Sequence, residues 1–199
     1  MWAKNELTIR KLFLFTFTIV FFNTWVWQVG LLLSLTEVSS NSKEFYSALQ
    51  GVFGAIVILT NLVLPIFFKN LTMKSYLIGG IVWGLGIAYL GFFNQPLHFF
   101  IGVIIVGIGL PISGLSRVYL IQTIVPEQKM GRAFSSNAFL LYLANTLSLS
   151  LFGLLSLIFS IRQLMIFSGL IIILSSLIGL LYTMAQPKLS WRFSINLFK

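Results

Sequence analysis

The 199-residue chain is 58% hydrophobic and only 9% charged, with a mean hydropathy of +0.98, which excludes an ordinary soluble domain, where about a quarter of residues carry charge. It has no cysteine and a single histidine, His98, so disulfides, thiol chemistry and a bound metal or cofactor are not expected. Its net charge of +9 would suit nucleic acid on a soluble protein, but here the basic residues separate long apolar runs, so no nucleic-acid partner is expected.

A membrane helix needs ~20 apolar residues, and the uncharged runs supply them one after another. The run from Leu12 to Thr36 predicts a first span at about 12–35, after a short segment 1–11. It is longer than a signal-peptide core and lacks a small-residue cleavage site, so retention is expected. A second span is predicted at about 46–68. From Ser75 to Ser116 there is no charge at all, and that stretch is long enough for two helices. The break falls at "FFNQPLHFF", where Pro96 cannot continue a helix and Asn94, Gln95 and His98 suit the water interface; this gives spans at about 75–94 and 97–121. Two more follow at about 133–160 and 162–184. The tail 185–199 mixes Lys188, Arg192 and Lys199 with Trp191, Phe193 and Phe198, a composition suited to anionic headgroups or to resting loosely on the membrane. The expected fold is all-α: a polytopic membrane protein with six transmembrane helices in one bundle.

Six spans put both termini on one side. With that side cytoplasmic, Lys4, Arg10, Lys11, Lys69, Lys74, Arg117, Lys129, Arg132, Lys188, Arg192 and Lys199 lie inside and only Lys43 and Arg162 outside. This is the positive-inside pattern, and it predicts a multi-pass protein of the cell membrane.

Polar residues within the spans form stripes at three- and four-residue steps. The first helix carries Thr16, Asn23, Trp27, Gly30 and Ser34, with Thr24 and Gln28 beside them. The second carries Gln50, Gly54 and Asn61, and the fifth Asn137, Asn145, Ser148 and Ser156. The fourth has a small-residue face of Gly102, Gly109, Ser113 and Ser116, whereas the third and sixth have no interior Asn or Gln. Amides in hydrocarbon require a protein or water partner, so helices one, two and five are expected to face an interior or a polar cavity, and three and six to face lipid. The alternative is that each polar side chain is interhelical glue worth ~0.6 kcal/mol. Trp25 and Trp27 lie ~20 Å from the inner end of their helix by helical rise, too deep for an aromatic belt. Trp27 beside Asn23 is therefore placed either to line a pocket or to pack. Asn23, Trp27, Gln28 and Ser113 are the candidate solute-lining residues, while Gly80, Gly84 and Gly91 of the third helix and the glycines of the fourth suit close helix contact.

One segment, "LSRVYLIQTIVPEQKMGRAFSS", concentrates charge. Pro126 is expected to end a helix and Gly131 to permit a tight turn, with Glu127, Lys129 and Arg132 free to pair with other inner loops, or simply to be solvated. Arg117 is expected at the membrane edge, snorkelling to the headgroups.

Within it, "IQTIVPEQKMGRAFS" resembles the loop between the tenth and eleventh helices of bacterial major facilitator superfamily exporters. The macrolide and multidrug efflux branch, and related siderophore exporters, often carry a similar Gln, Val-Pro, Gly-Arg pattern, matched here by Gln122, Val125, Pro126, Gly131 and Arg132. The stretch "ELTIRKLFLFTFTIVFFN" is similar to that family's approach to its seventh helix. The loop "FFKNLTMKS" keeps Lys69 and Lys74 but lacks the acidic residue and glycines of the family's loop motif. The resemblance implies the C-terminal six-helix half of a secondary-active exporter that moves an amphipathic organic solute, such as a macrolide drug or a siderophore, by alternating access. It implies that the first and fourth helices line the pathway and that the third and sixth are peripheral. The second and fifth would meet the opposite half through Gln50, Asn61, Asn137 and Asn145, and Gln122, Pro126, Glu127, Gly131 and Arg132 would form a cytoplasmic gating loop. The partners expected are the lipid bilayer, the solute, and a second six-helix half, as a separate chain or a second copy.

Other readings compete. The chain has no Asp, and Glu6, Glu37, Glu44 and Glu127 fall in predicted loops or tails, so no carboxylate within the membrane is available to titrate, and no phosphate-cradling Gly-Lys-Ser/Thr motif is present. A truncated, transport-inactive remnant or a membrane interaction partner would show the same pattern. An intramembrane serine protease is suggested by Gly114-Leu115-Ser116. Against it, His98 is the only histidine and lies on the same predicted helix, ~27 Å from Ser116 by helical rise, so no enzyme is expected.

Overall fold

The computed structural model describes residues 2–68, 70–93 and 95–185, with side chains from Leu7 onward. Lys69, Asn94, the side chains of Lys4 and Glu6, and the basic, aromatic tail from 186 to 199 lie outside the described residues. Every regular element among those described is helical: α1 (Trp2–Trp25), a π segment (Val26–Gly30), α2 (Leu31–Val38), α3 (Ser42–Phe67), α4 (Met73–Phe92), α5 (Pro96–Ile124), α6 (Glu127–Leu155) and α7 (Ile161–Ala185). Six stretches are long and apolar enough to cross a membrane: Leu7–Val38, which joins α1, the π segment and α2, and then α3, α4, α5, α6 and α7. The protein is an all-α, multi-pass membrane protein.

The helix ends have local causes. Thr72 caps α4 reciprocally: its side chain accepts from the Ser75 N–H while Ser75 Oγ accepts from the Thr72 N–H, which satisfies two end groups at once. Pro96 opens α5 at a position where its missing N–H costs nothing. Pro126, with its fixed φ, precedes α6, and its carbonyl accepts from the Lys129 N–H at 2.9 Å. The segment expected to be a loop is therefore almost entirely helical: only Val125 and Pro126 separate α5 from α6. Gly131 makes no turn, because it lies inside α6 and none of the described residues has positive φ. Likewise the predicted segment 1–11 is helical from Trp2.

Glycines decide the packing. An added Cβ on Gly79 would stand 2.5 Å from the Ser113 backbone N, and one on Gly86 would stand 2.8 Å from that of Val106. On the opposing helix Gly109 receives the same backbone approach, from Trp83 and Gly79, and Gly102 accommodates the Leu90 side chain. On the other side of α4 an added Cβ on Gly84 would stand 2.9 Å from the Gly169 carbonyl oxygen and one on Gly91 2.9 Å from that of Arg162, both on α7. So α4 is held between α5 and α7 with backbones nearly touching, the small-residue mode of membrane helix contact.

This corrects the expectation that the third helix faces lipid, whereas the sixth, α7, keeps a broad exposed apolar side that includes Phe167, Leu174, Ile178, Leu181 and Met184. In the apolar stretch of α4, 67% of residues are buried, against 39% in α7, 11% in α3 and 17% in α6. Of the large apolar residues of α4 only the seam Ile78, Leu85 and Phe92 stays exposed. The reason is that a lack of Asn and Gln removes any polar demand but says nothing about steric access. Glycines on two faces let α4 take a helix on each side.

Candidate binding cavity and polar network

The first span crosses α6 and α7 through its polar side chains. Thr24 Oγ1 donates to Asn145 Oδ1 at 2.6 Å, and Trp25 Nε1 donates to Ser168 Oγ at 3.0 Å. The Trp25 ring stacks on Phe152 with centroids 4.6 Å apart. Directly after it the helix becomes π, a form that recurs where helices serve a function. The Trp25 ring lies under Gly30 at the end of this segment, where a Cβ would be 2.7 Å from Cζ3. The Trp25 backbone N–H also donates to Ser148 Oγ at 3.2 Å.

Toward the end where α4 begins and α5 ends, α1, α4, α5 and α6 border a partly open cavity of about 200 Å³. Tyr76, Trp83, Ser113 and Arg117 contribute its polar groups, and Ile19, Leu110 and Leu141 are among its apolar walls. Two of the polar groups are oriented by α1. The Tyr76 hydroxyl hydrogen-bonds Thr16 Oγ1 at 2.9 Å, and Trp83 Nε1 donates to Asn23 Oδ1 at 2.9 Å. Gly114 borders the cavity with nothing within 4 Å of an added Cβ, so part of the space exists because that side chain is missing.

Arg117 is seven residues from the end of α5, ~10 Å by helical rise, its side chain lines the cavity, and its Nε is buried without a hydrogen-bond partner. No cavity-lining residue is acidic. An ionised group inside a membrane helix costs up to ~3 kcal/mol on insertion scales and marks a functional position when it faces an interior cavity.

The solute-lining candidates divide. Ser113 lines the cavity and is 2% exposed, and Asn23 acts on it through Trp83. Trp27 instead packs on Phe53 of α3 with ring centroids 4.3 Å apart, and Gln28 is exposed with no hydrogen bond. The i→i+5 pattern of the π segment breaks the three- and four-residue register that puts Asn23 and Trp27 on one face.

The four amides expected to meet a second half also divide. Asn61 is exposed and Gln50 half-buried, neither hydrogen-bonded. Asn145 is instead engaged by Thr24 within the bundle, and Asn137 is 8% exposed with its Oδ1 unpartnered, so both turn inward. Gln122, Pro126, Glu127, Gly131 and Arg132 are all exposed. His98 and Ser116 lie on the same helix, as expected, and Nδ1 of His98 is hydrogen-bonded to the Tyr89 hydroxyl at 2.6 Å; the two do not form a catalytic pair. Sequence reasoning missed Tyr76 and Trp83. A charge seven residues inside a helix end was the signal for Arg117.

No protein-family model matches the chain, and no curated protein matches it.

Proposed function

We propose that this chain is one six-helix half of a secondary-active membrane transporter, moving an amphipathic organic solute, of the kind carried by macrolide or siderophore exporters, by alternating access against a second six-helix bundle. The observation that supports this reading is the unequal cover of the helices. The second and fifth spans, α3 and α6, are the least buried, at 11% and 17%, and α3 presents the Asn61 amide outward without a partner. Thr146 and Ser150, exposed on α6, satisfy themselves by donating to the Tyr142 and Thr146 carbonyls at 3.0 Å. An asparagine amide at Asn61 has no such internal outlet here, and in hydrocarbon it calls for another chain. The low burial of the second and fifth helices supports the part of the family arrangement in which they face another half, while the burial of α4 departs from that family's peripheral third helix. In that arrangement the basic ends of the spans face the cytoplasm of a bacterial cell membrane.

The natural lack of cysteine makes the test direct. A single thiol introduced by Asn61→Cys should cross-link to a second bundle under oxidation in membranes, as a homodimer or with a co-expressed six-helix chain, whereas Ile78→Cys on the exposed seam of α4 should not. Cells making the assembly, with its thiols kept reduced so that the two halves can move, should accumulate less of a labelled amphipathic organic solute than cells making the chain alone. If both thiols cross-link equally, or neither does, the exposed faces of α3 and α6 are lipid surfaces and the chain is an inactive remnant or a simple interaction partner.

A further inference from the structure

We infer that the cavity between α1, α4, α5 and α6 binds the anionic group of an organic acid, a small carboxylate with an aromatic or apolar body, with Arg117 as the cation that holds it. This deepens the transporter reading by naming the substrate class, but the binding itself requires neither a partner chain nor transport.

Three observations support it. First, the cation has no counter-charge in place: Arg117 faces a cavity whose lining holds no acidic residue, its Nε is buried and unpartnered, and the chain contains no Asp. A guanidinium presents donors in a planar fork matched to a carboxylate. Second, the remaining polar groups are held in place. Tyr76 is 2% exposed and tied to Thr16 at 2.9 Å, while Trp83 is fixed by Asn23 at 2.9 Å. Ser113, one helical turn before Arg117 on the same face, lines the same space and supplies a hydroxyl donor. Third, size and polarity agree. About 200 Å³ exceeds the ~150 Å³ that accommodates one benzene ring, and Ile19, Leu110, Leu141 and the Trp83 ring provide apolar walls. A few polar groups, Arg117, Tyr76 and Ser113, in an otherwise apolar space fix the orientation of such a ligand. The same charge disfavours cationic solutes, so within the proposed amphipathic class it selects acidic solutes over basic ones such as amine-bearing macrolides.

The test uses the full chain in nanodiscs of zwitterionic phosphatidylcholine, with benzoate as probe and benzamide as its neutral isostere, read by tryptophan fluorescence. Benzoate should bind at least ~10-fold more tightly than benzamide, the scale of one charge-assisted contact. In R117M that ratio should fall to ~1, and R117K should restore part of it because it keeps the charge but not the fork. Trp83→Phe should remove most of the fluorescence change. Equal binding of the two probes to the unmodified chain, or a ratio that survives in R117M, would overturn the inference. So would phosphatidylglycerol in the discs displacing benzoate at stoichiometric levels, which would give the site to a lipid headgroup. Failure here with cross-linking at Asn61 intact would leave the transporter reading standing with a different substrate; success without cross-linking would leave a binding protein.

Discussion

Substituting Gly79 by alanine should separate the two helices that carry the cavity. The new Cβ would meet the Ser113 backbone N at 2.5 Å, the Gly109 carbonyl at 3.0 Å and Ile112 Cγ2 at 3.0 Å. The first two are backbone atoms of a continuous helix and cannot rotate away. Ordinary contact begins near 3.4 Å, so α4 and α5 must part locally by ~0.9 Å, a gap that forfeits about a quarter to a half of the attraction of each facing atom pair. Overpacking of this kind costs ~1–3 kcal/mol. The control is Gly114→Ala on α5, where nothing lies within 4 Å and the better helix propensity of alanine stabilises by ~0.5–1 kcal/mol. Both variants gain that propensity, so its effect cancels between them, and Gly79→Ala should unfold earlier than Gly114→Ala by ~1–3 kcal/mol. Titration with SDS in mixed micelles, followed by circular dichroism, measures the difference. Equal midpoints would refute the argument that α4 is central because its glycines admit neighbours on two sides.

Two further outcomes follow from the polar contacts. Asn23→Val removes the acceptor of Trp83 Nε1 and should cost ~1 kcal/mol, since a buried donor is left unmet. Trp83→Phe in the same chain should recover most of that loss in a double-mutant cycle; full additivity would mean that the bond contributes nothing. Ser148→Ala deletes the side chain that accepts the Trp25 backbone N–H beside the π segment. Amide exchange at Trp25 should accelerate about fivefold, the effect of ~1 kcal/mol, while exchange in α4 stays unchanged, and equal protection in the variant would count against the contact.

The candidate site was legible only in part. Asn23 and Ser113 stand out as polar groups on spans one and four, and both are at the cavity or one bond from it. Trp27 and Gln28 share their stripe on an ideal helix, but the π segment that begins at Val26 displaces them, and nothing in residue spacing announces where one extra residue enters a turn. Asn137 and Asn145 were legible as polar demand. Which neighbour meets that demand, Thr24 in the case of Asn145, depends on how the helices are arranged.

By itself the sequence determines that this is a six-span, all-helical membrane protein, because each span satisfies its own backbone hydrogen bonds and needs only enough apolar length and a break between runs. Such information is local. The tertiary structure alone decides that α4 lies at the centre, that α3 and α6 lie outside, and that Arg117 shares a cavity with Tyr76 and Trp83. In lipid the helices are apolar on nearly every side, so hydrophobicity does not choose their neighbours. Close backbone approach at Gly79, Gly84, Gly86 and Gly91 does.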